Sequence, residues 1–485
     1  MIKNTFKIYL AFTGAFVLPI LLANIYYIDD IGRATIGYKK WGVDGRPVAD
    51  WVMTLINMSS RMADLAPLPL LISVALLSFS LSLYRKEFIG DGKWGVLIPL
   101  SFMANPAIIS LFSYRFDVLT FSFAISVAFF MFILRIRNTV LDISIGSIFV
   151  VLVMGTYQAL INIVVILIIC ELFKNISRKE DPVTVIKFIC IRFAQVVIGS
   201  IFYATIILPR TFKGGHTTNH PGISNDILNA LRNNAESYYH FASNNFYKSN
   251  AEYIIGFSAL LCLVLAGVII YSYMKLFKGA LTWVVASGAI AASALSIPMT
   301  MGALLFLERP LGGVHLYMSV SGFYLLLATL IYYSSKHKKQ TSLIILVPLL
   351  YTTTLIYAYG NALRDQDRIN NSVINQIKQT ISKSEINVTS VIYKGEAPRS
   401  EVAKNSSRNF PILNYTVIDY FWNWYWASAY LSMSGLKQNY ISSDIANEYL
   451  GRICEINMVD KSQDFNSFYS DGVLIVDFSK TQCHK

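Results

Sequence analysis

Charged residues are scarce in this sequence. Asp, Glu, Lys and Arg make up 14% of its 485 residues, and hydrophobic residues make up 54%; about 25% charged residues is usual for a soluble protein. So little charge cannot cover the surface of a water-soluble fold of this length, which excludes a single soluble globular domain. Repeated apolar runs of about 20 residues account for the excess, and such runs are typical of membrane-spanning helices.

Several motifs that identify other classes of site are also lacking. The chain holds five cysteines and six histidines, but no cysteine pair has metal-ligand spacing. It has no Walker loop, no Cys-based redox motif and no His-rich cluster. No dedicated metal site is therefore predicted. Assistance by a divalent cation is left open, because two adjacent acids near a phosphate suit a mechanism with a bound cation as well as one without it.

The positive charge is unevenly placed. The net charge is +12, and residues 1–360 hold 28 Lys and Arg against 16 Asp and Glu, while residues 361–485 hold 13 of each. The basic residues lie in short connections between apolar runs rather than on one face, which argues against nucleic-acid binding. Every second connection is basic, as the positive-inside rule requires of a polytopic membrane protein.

Eleven apolar segments are predicted to cross the membrane. The alternation of basic connections places the N-terminus in the cytoplasm, and an odd number of spans places the C-terminal tail outside. The predicted spans lie at about 6–26, 67–84, 94–112, 117–134, 141–155, 159–173, 185–208, 253–274, 281–300, 315–333 and 341–359.

The predicted fold is an α-helical polytopic membrane domain over residues 1–359, followed by a small α/β domain over residues 360–485. Its main outer loops are 27–66 and 210–252. In the tail, a polar helix and two strands are predicted from the sequence pattern, and an aromatic run, 420–426, either stacks on sugar rings or forms a membrane-interface belt. A tail outside the cell permits a disulfide between Cys454 and Cys483; the alternative is two free thiols.

The first outer loop concentrates residues that can do chemistry. Asp29 and Asp30 lie just beyond the membrane end of the first span, and Arg33, Trp41 and Arg46 follow. A carboxylate that removes a proton from a hydroxyl, beside an arginine that binds phosphate, is a workable arrangement for a transferase. The alternative is a solvated loop whose acids merely mark the outer side.

Further outer turns add polar candidates. Charged groups between short spans are costly near lipid, so they are functional candidates by default. Each candidate also has a structural alternative. Arg115 and Asp117 could form a salt bridge that fixes the hairpin, Gln158 could hydrogen-bond the helix ends, and His315 could be a structural partner. The candidates are Tyr114, Arg115 and Asp117, then Gln158, then Glu308, Arg309 and His315, with His216 and His220 as weaker contacts in the 210–252 loop.

The polar groups gather at one membrane face. An alternating-access carrier is expected to place its charged site near the bilayer midplane, but the middles of the predicted spans hold almost no ionisable residues. This distribution favours chemistry on a lipid-borne substrate at the membrane surface over transport.

The order of these motifs resembles a known family, the phage-encoded O-antigen glucosyltransferases of the type II group, which convert the serotype of enteric bacteria. Each motif is short, and their order along the chain carries the resemblance. The matching residues are Asp29, Asp30, Arg33, Gly37, Trp41, Gly45 and Arg46, then Ser113, Tyr114, Arg115, Phe116 and Asp117, then Tyr157, Gln158 and Ala159.

The resemblance implies a GT-C-like glycosyltransferase of the bacterial inner membrane that works at the periplasmic face. It implies undecaprenyl-phosphate glucose as donor and a rhamnose-containing O-antigen polysaccharide as acceptor. A separate lipid-glucose flippase and a cytoplasmic enzyme that makes the donor are the implied functional partners. By the same analogy, a carboxylate of the first outer loop, here Asp29 or Asp30, serves as base.

The expected mechanism combines these residues. The donor phosphate contacts arginine side chains while the base deprotonates the acceptor, and a single displacement inverts the anomeric carbon. Another polyprenyl-phosphate-dependent transferase and a lipid or polysaccharide carrier remain as alternatives. The phosphate-binding candidates are Arg33, Arg46, Arg115 and Arg309; the substrate-binding candidates are Trp41, Tyr114, Asp117, Gln158, Glu308 and His315.

Overall fold

A computed structural model describes residues 2–134, 136–214 and 221–483 of the chain. His216 and His220, which the sequence suggests as weak substrate contacts, lie outside the described residues. The described chain divides into two compact units. The first comprises Met1–Leu18, Lys39–Tyr357 and Phe410–Ile412; the second comprises Pro19–Tyr38, Ala358–Asn409 and Leu413–Lys485.

The chain up to residue 383 is helical in most of its length. In chain order the helices are α1 Ile2–Ala23, α2 Asp29–Ile36, α3 Pro47–Asn57, α4 Leu68–Tyr84, α5 Leu97–Leu100, α6 Ile109–Ser113, α7 Asp117–Met131, α8 Thr139–Thr156, α9 Ile161–Ser177, α10 Pro182–Phe202, α11 Leu208–Thr211, α12 Ile227–Asn245, α13 Ala251–Leu276, α14 Ala280–Leu295, α15 Val320–Ser334, α16 Lys338–Ile344 and α17 Leu346–Lys383.

The helices confirm a polytopic membrane protein. Within the described ranges, eight helical segments are long and apolar enough to cross a membrane, or nine if the bent pair at residues 93–113 counts as one. The other two predicted spans coincide with α7 and α14, which have 15 and 16 residues. A helix of that length measures about 22–24 Å at 1.5 Å per residue, less than the ~30 Å hydrocarbon core. The count of eleven crossings therefore stays a prediction.

The bent pair has a local cause in the sequence Asn105-Pro106. Its two halves meet at an angle of 70°, and Asn105 has an extended backbone, because a residue before proline avoids the helical region. The Asn105 side chain accepts from the Ala107 N–H and donates to the Tyr317 carbonyl at 2.9 Å. These bonds satisfy polar groups that the break would otherwise leave unpaired.

Small residues bring two spans of the first unit close together. A Cβ atom added at Gly199 in α10 would lie 2.7 Å from the Ser147 carbonyl oxygen of α8. Glycine at this contact allows the two backbones to approach, as is common between helices in membranes.

The start of α10 is fixed by Asp181, whose carboxylate accepts from the Val183 and Thr184 N–H groups.

The segments 27–66 and 210–252, which are predicted to be outer loops, contain helices that were not predicted. The helices α2 and α3 lie in the 27–66 loop, and the 19-residue α12 lies in the 210–252 loop. The Asn234 side chain of α12 donates to the Leu305 and Leu307 carbonyls at 3.1 and 2.7 Å. This helix therefore braces the turn that precedes His315.

The second unit contains a small sheet and short helices. Four strands, β1 Ser390–Lys394, β2 Asn457–Lys461, β3 Asn466–Ser470 and β4 Val473–Asp477, are arranged in the order β1-β4-β3-β2. β1 and β4 are parallel, and the other two pairs are antiparallel. The remaining helices are α18 Glu401–Asn409, α19 Leu413–Thr416, α20 Tyr425–Met433 and α21 Ser443–Gly451.

Alternate residues of β4 face two apolar clusters. Leu474 and Val476 pack in a cluster with Ile31 of α2 and with the polar half of α17, whereas Val473 and Ile475 pack with Ala446 of α21. A strand that is buried on both faces has a continuous apolar sequence, and β4 has the sequence Val-Leu-Ile-Val. A disulfide joins Cys454 and Cys483, whose Cα atoms are 5.2 Å apart.

Residues 19–38 belong to the same compact unit as most of the tail. The sequence-based division at residue 360 places the tail by itself and assigns these residues to the membrane domain. Ile31 is fully buried in the cluster formed with Tyr393, Phe421 and Tyr430. The short helix that carries the two candidate acids is thus packed by aromatic residues from the C-terminal part of the chain.

Candidate active site

The two adjacent acids at the start of α2 have different surroundings. Asp30 is fully buried, and its Oδ2 accepts a hydrogen bond from the Tyr27 N–H at 3.1 Å. The Asp29 side chain keeps 40% of its surface exposed, and its Oδ2 lies 3.7 Å from Nη2 of Arg33. Asp29 can therefore meet a substrate hydroxyl, whereas Asp30 helps to form the turn into the helix.

The turn before α2 is held by a tyrosine from the aromatic run. The Tyr420 hydroxyl donates to the Tyr26 carbonyl at 3.1 Å and accepts from the Ile28 N–H at 3.0 Å. Burial raises the pKa of Tyr420 well above its usual value, so the hydroxyl stays protonated and can donate. At the other end, Gly37 terminates α2 with φ of 77°, a conformation that glycine adopts without strain.

The aromatic run is divided between core and surface. Tyr420 and Phe421 are 4% and 1% exposed and belong to the core of the second unit, while Trp422 and Tyr425 are about half exposed. Trp422 stacks on Trp424 with ring centroids 4.5 Å apart. Neither a sugar platform nor a membrane belt accounts for the two buried members of the run.

In the first unit, Trp41 and Asp117 come together although 76 residues separate them. The Trp41 indole N–H donates to Oδ1 of Asp117 at 2.6 Å, and both residues are buried. The backbone N–H groups of Trp41 and Gly42 donate to the carboxylate of Asp50 at 3.2 and 2.7 Å. The first outer loop is thereby attached to the start of α7.

Arg46 is fixed in position by a neighbouring hairpin turn. Its Nε donates to Oε1 of Gln158 at 3.2 Å, and its guanidinium lies 4.6 Å from the centre of the Tyr157 ring. The Gln158 amide in turn donates to the Tyr203 hydroxyl at 2.9 Å, and Tyr203 donates to the Gly45 carbonyl at 2.7 Å. A half-buried arginine held in this way is suited to binding a phosphate group.

Ring contacts extend this cluster to two more predicted residues. Phe121 packs edge-to-face on Tyr157 and also on Tyr114, with centroids 4.9 and 6.3 Å apart. The half-buried His315 packs on Tyr157 from another direction, at 6.4 Å. We call the set Trp41, Arg46, Tyr114, Asp117, Tyr157, Gln158 and His315 the loop cluster.

Arg115 forms a salt bridge with an acid of the first outer loop. Its Nη1 lies 2.8 Å from Oδ2 of Asp64 in the first outer loop, while the neighbouring Asp117 accepts from Trp41. Arg115 is half-buried, and Asp64 is exposed. The pair links the first outer loop to the second outer turn.

Glu308 and Arg309 are both exposed on the turn before His315. The Glu308 backbone N–H donates to the Gly222 carbonyl at 2.9 Å, which ties this turn to the 210–252 loop. Glu308 and Arg309 thus lie at the surface of the first unit.

Three residues that contact the predicted site residues were not predicted from the sequence: Tyr203, Asp50 and Asp64. Tyr203 is a single polar group in an apolar span, and its role becomes visible only through its contacts with Gln158 and Gly45. Asp50 and Asp64 share the first outer loop with the chosen acids, and no spacing rule separates them from solvated carboxylates. In the part of the chain that the structure describes, no three His, Cys, Asp or Glu side chains are grouped to hold a metal ion.

Comparison with known proteins assigns the chain to a family. The sequence model of the family Glucosyl transferase GtrII matches residues 18–326, which include α2 and the whole loop cluster. The chain is also 24% identical over 445 residues, 90% of each chain, to a Salmonella phage P22 protein described as an uncharacterized 55.3 kDa protein in the gtrB 5' region. No match to a solved structure was found. The match over most of its length shows that the chain belongs to the GtrII glucosyltransferase family.

Proposed function

We propose that this protein transfers a glucosyl group from undecaprenyl-phosphate glucose to a rhamnose-containing O-antigen polysaccharide at the periplasmic face of the bacterial inner membrane. The family match over residues 18–326 carries this proposal, because it includes every predicted site residue from Asp29 to His315. The consequence for the host is a changed serotype. The phage origin of the similar P22 protein is in line with this function.

Asp29 is assigned as the general base. It is the accessible member of the acid pair, and the Arg33 guanidinium lies 3.7 Å away. Its carboxylate takes the proton of the acceptor hydroxyl as that oxygen forms a bond to the anomeric carbon. The bond from this carbon to the phosphate oxygen breaks, and undecaprenyl phosphate leaves. One such displacement inverts the anomeric centre.

Arg46 is assigned to the donor phosphate. Its orientation is set by Gln158 and Tyr157, so little side-chain entropy is lost when the anion binds. Arg115 is a weaker candidate, because it already forms a short salt bridge with Asp64. No general acid is required, because a lipid phosphate is a good leaving group.

The test compares acid-to-amide variants in cells that make the lipid-glucose donor, its flippase and the O-antigen. Asp29→Asn is expected to lower glucose addition at least 100-fold, the lower limit for loss of a general base. Asp30→Asn is expected to affect protein stability more than the rate, because Asp30 is buried in the turn into α2. Glucose per O-antigen repeat is measured by mass spectrometry at matched membrane levels of protein.

Asp444→Asn is the matched control, since Asp444 is an exposed acid at the start of α21. It is expected to transfer glucose like the intact chain. Equal transfer by Asp29→Asn would show that the base lies elsewhere, while the glucosyltransferase proposal would stand. If the intact chain adds no glucose with donor and acceptor present, the proposed substrates are wrong.

A further inference from the structure

The second unit contains a cavity that the reaction described above does not use. Its volume is about 200 Å³. Residues 24–27, just before α2, line one side. Polar side chains line much of the rest, and those that matter for its chemistry are Gln366, Asp367, Asn370 and Asn371 of α17, with Tyr420 and Tyr430.

The helical contribution comes from one face of the polar half of α17. Residues 363, 366, 367, 370 and 371 line the cavity. Spacings of three and four place side chains on the same face of a helix.

Two of these amides are fixed by hydrogen bonds. Gln366 Nε2 donates to Oδ1 of Asn370 at 2.9 Å and to the Pro398 carbonyl at 3.1 Å, and Gln366 Oε1 accepts from the Ser400 N–H at 2.9 Å. Gln366 and Asn370 are 6% and 3% exposed. This wall is therefore rigid before any ligand arrives, which lowers the entropic cost of binding.

The acid of the cavity is held between two donors. The Tyr430 hydroxyl donates to Oδ1 of Asp367 at 3.2 Å, and the Asn371 amide donates to its Oδ2 at 2.9 Å. Burial raises the pKa of Tyr430 above its usual value, so this hydroxyl stays protonated and remains a donor. The Tyr430 ring stacks on that of Tyr420, with centroids 4.3 Å apart.

This combination of groups is suited to a neutral polyhydroxylated ligand. Carboxylate and amide groups offer several acceptors and donors at fixed positions, which can pair with neighbouring hydroxyl groups. None of the described residues that line the cavity is Lys or Arg, and Asp367 would repel a phosphate. The polar part of the wall disfavours a hydrocarbon chain, because its groups would lose water without compensation. The rest of the wall is apolar and is formed by Ile25, Leu363, Val417, Ile418 and Met433.

The size of the cavity is that of a small ligand. Its 200 Å³ is several times the ~30 Å³ occupied by a water molecule. It is smaller than the ~300–1,000 Å³ of pockets for drug-sized ligands.

We propose that this cavity is a subsite for one sugar residue of the acceptor polysaccharide, bound through Asp367, Asn371 and the amides of α17. The inference rests on the proposed function, because the acceptor is defined by it. Most of the lining lies between residues 363 and 434, beyond the family match at residues 18–326. A part of the chain that the family model does not cover is where recognition of a particular acceptor is expected.

The test measures binding and turnover separately, with the purified full-length protein in lipid nanodiscs. The probe is lipid-free O-antigen polysaccharide, and its Kd is measured by calorimetry without donor. Asp367→Asn and Asn371→Ala are each expected to raise this Kd at least tenfold. In transfer assays, the acceptor KM should rise by a similar factor, while kcat and the donor KM stay within twofold of the intact chain.

Asn375→Ala is the matched control, since Asn375 is an exposed amide of α17 that does not line the cavity. It should bind and turn over like the intact chain, and Asp29→Asn should bind the polysaccharide normally without transferring glucose. Unchanged polysaccharide binding by both cavity variants, or a rise in the donor KM alone, would overturn the subsite. Polysaccharide binding that depends on Asp367 would support the subsite even if glucose transfer were not observed.

Discussion

At the scale of single residues, neighbouring side chains of the same type differ sharply in environment. Asp29 and Asp30 are adjacent, and their sequence context offers no way to choose between them. Successive residues of a helix point about 100° apart, so Asp30 turns into the protein while Asp29 remains 40% exposed. The partner of Arg115 could not be predicted from its sequence context either, because Asp64 is 51 residues away.

The geometry of Arg46 makes a conservative substitution informative. Arg46→Lys keeps the positive charge but loses the planar group that lies over Tyr157 and bonds to Gln158. A hydrogen bond to a charged group contributes about 1.5–3 kcal/mol. The donor KM is therefore expected to rise roughly 10- to 150-fold in a transfer assay with purified lipid-linked donor.

Arg61→Lys is the control for this substitution. Arg61 is an exposed arginine of the same outer loop, so its replacement is expected to leave the donor KM unchanged. A donor KM for Arg46→Lys equal to that of the control would show that Arg46 does not bind the donor phosphate.

At the scale of helices and strands, the sequence predicts the apolar elements well. Each of the eleven predicted spans coincides with a helical segment, because a long apolar run leaves few other structures in lipid. The polar helix α12 and the short α2 and α3 were not predicted, since their length and composition resemble those of loops. The strands β2 and β3 were missed for a related reason: they are largely polar, and β2 lies at the edge of the sheet with most of its residues exposed.

Buried ions in the spans are a second feature that the apolar pattern conceals. Glu171 lies 3.0 Å from Lys174 and 3.1 Å from Arg192, and all three side chains are less than 10% exposed. Lys174 also pairs with Glu87 at 3.2 Å. Since ions are costly in a low-dielectric interior, each of these charges depends on the others for its burial.

Replacing the shared acid tests that dependence. Glu171→Gln leaves Lys174 and Arg192 buried with less opposite charge, and breaking a buried pair costs about 3–5 kcal/mol. A lower melting temperature is expected in detergent, measured from the fraction of soluble protein after heating. Glu401→Gln, which removes an exposed pair with Lys404, should leave the melting temperature unchanged. Equal melting temperatures for both variants would mean that the buried network is not stabilising.

At the scale of the whole molecule, the cysteines report on which side of the membrane the tail lies. The disulfide between Cys454 and Cys483 persists in an oxidising compartment and is rare in the cytosol. If the tail is periplasmic, both thiols should resist a mass-tagged maleimide until the denatured protein is reduced. The control is the Cys454→Ser, Cys483→Ser double variant. Any label that it takes up comes from the three free cysteines, Cys170, Cys190 and Cys262. Labelling of Cys454 and Cys483 without reduction would contradict the periplasmic tail.

The order of strands in the sheet has a consequence for biosynthesis. β1 pairs with β4, and 79 residues separate the end of the first from the start of the second, Lys394 from Val473. At about 5–20 residues per second, a ribosome needs roughly 4–16 s to make that interval. During this time the nascent chain carries an apolar strand whose partner has not been synthesised. The nascent chain must therefore remain free of aggregation over that delay, and a stop codon shortly before β4 would leave β1 and β3 without the strand between them.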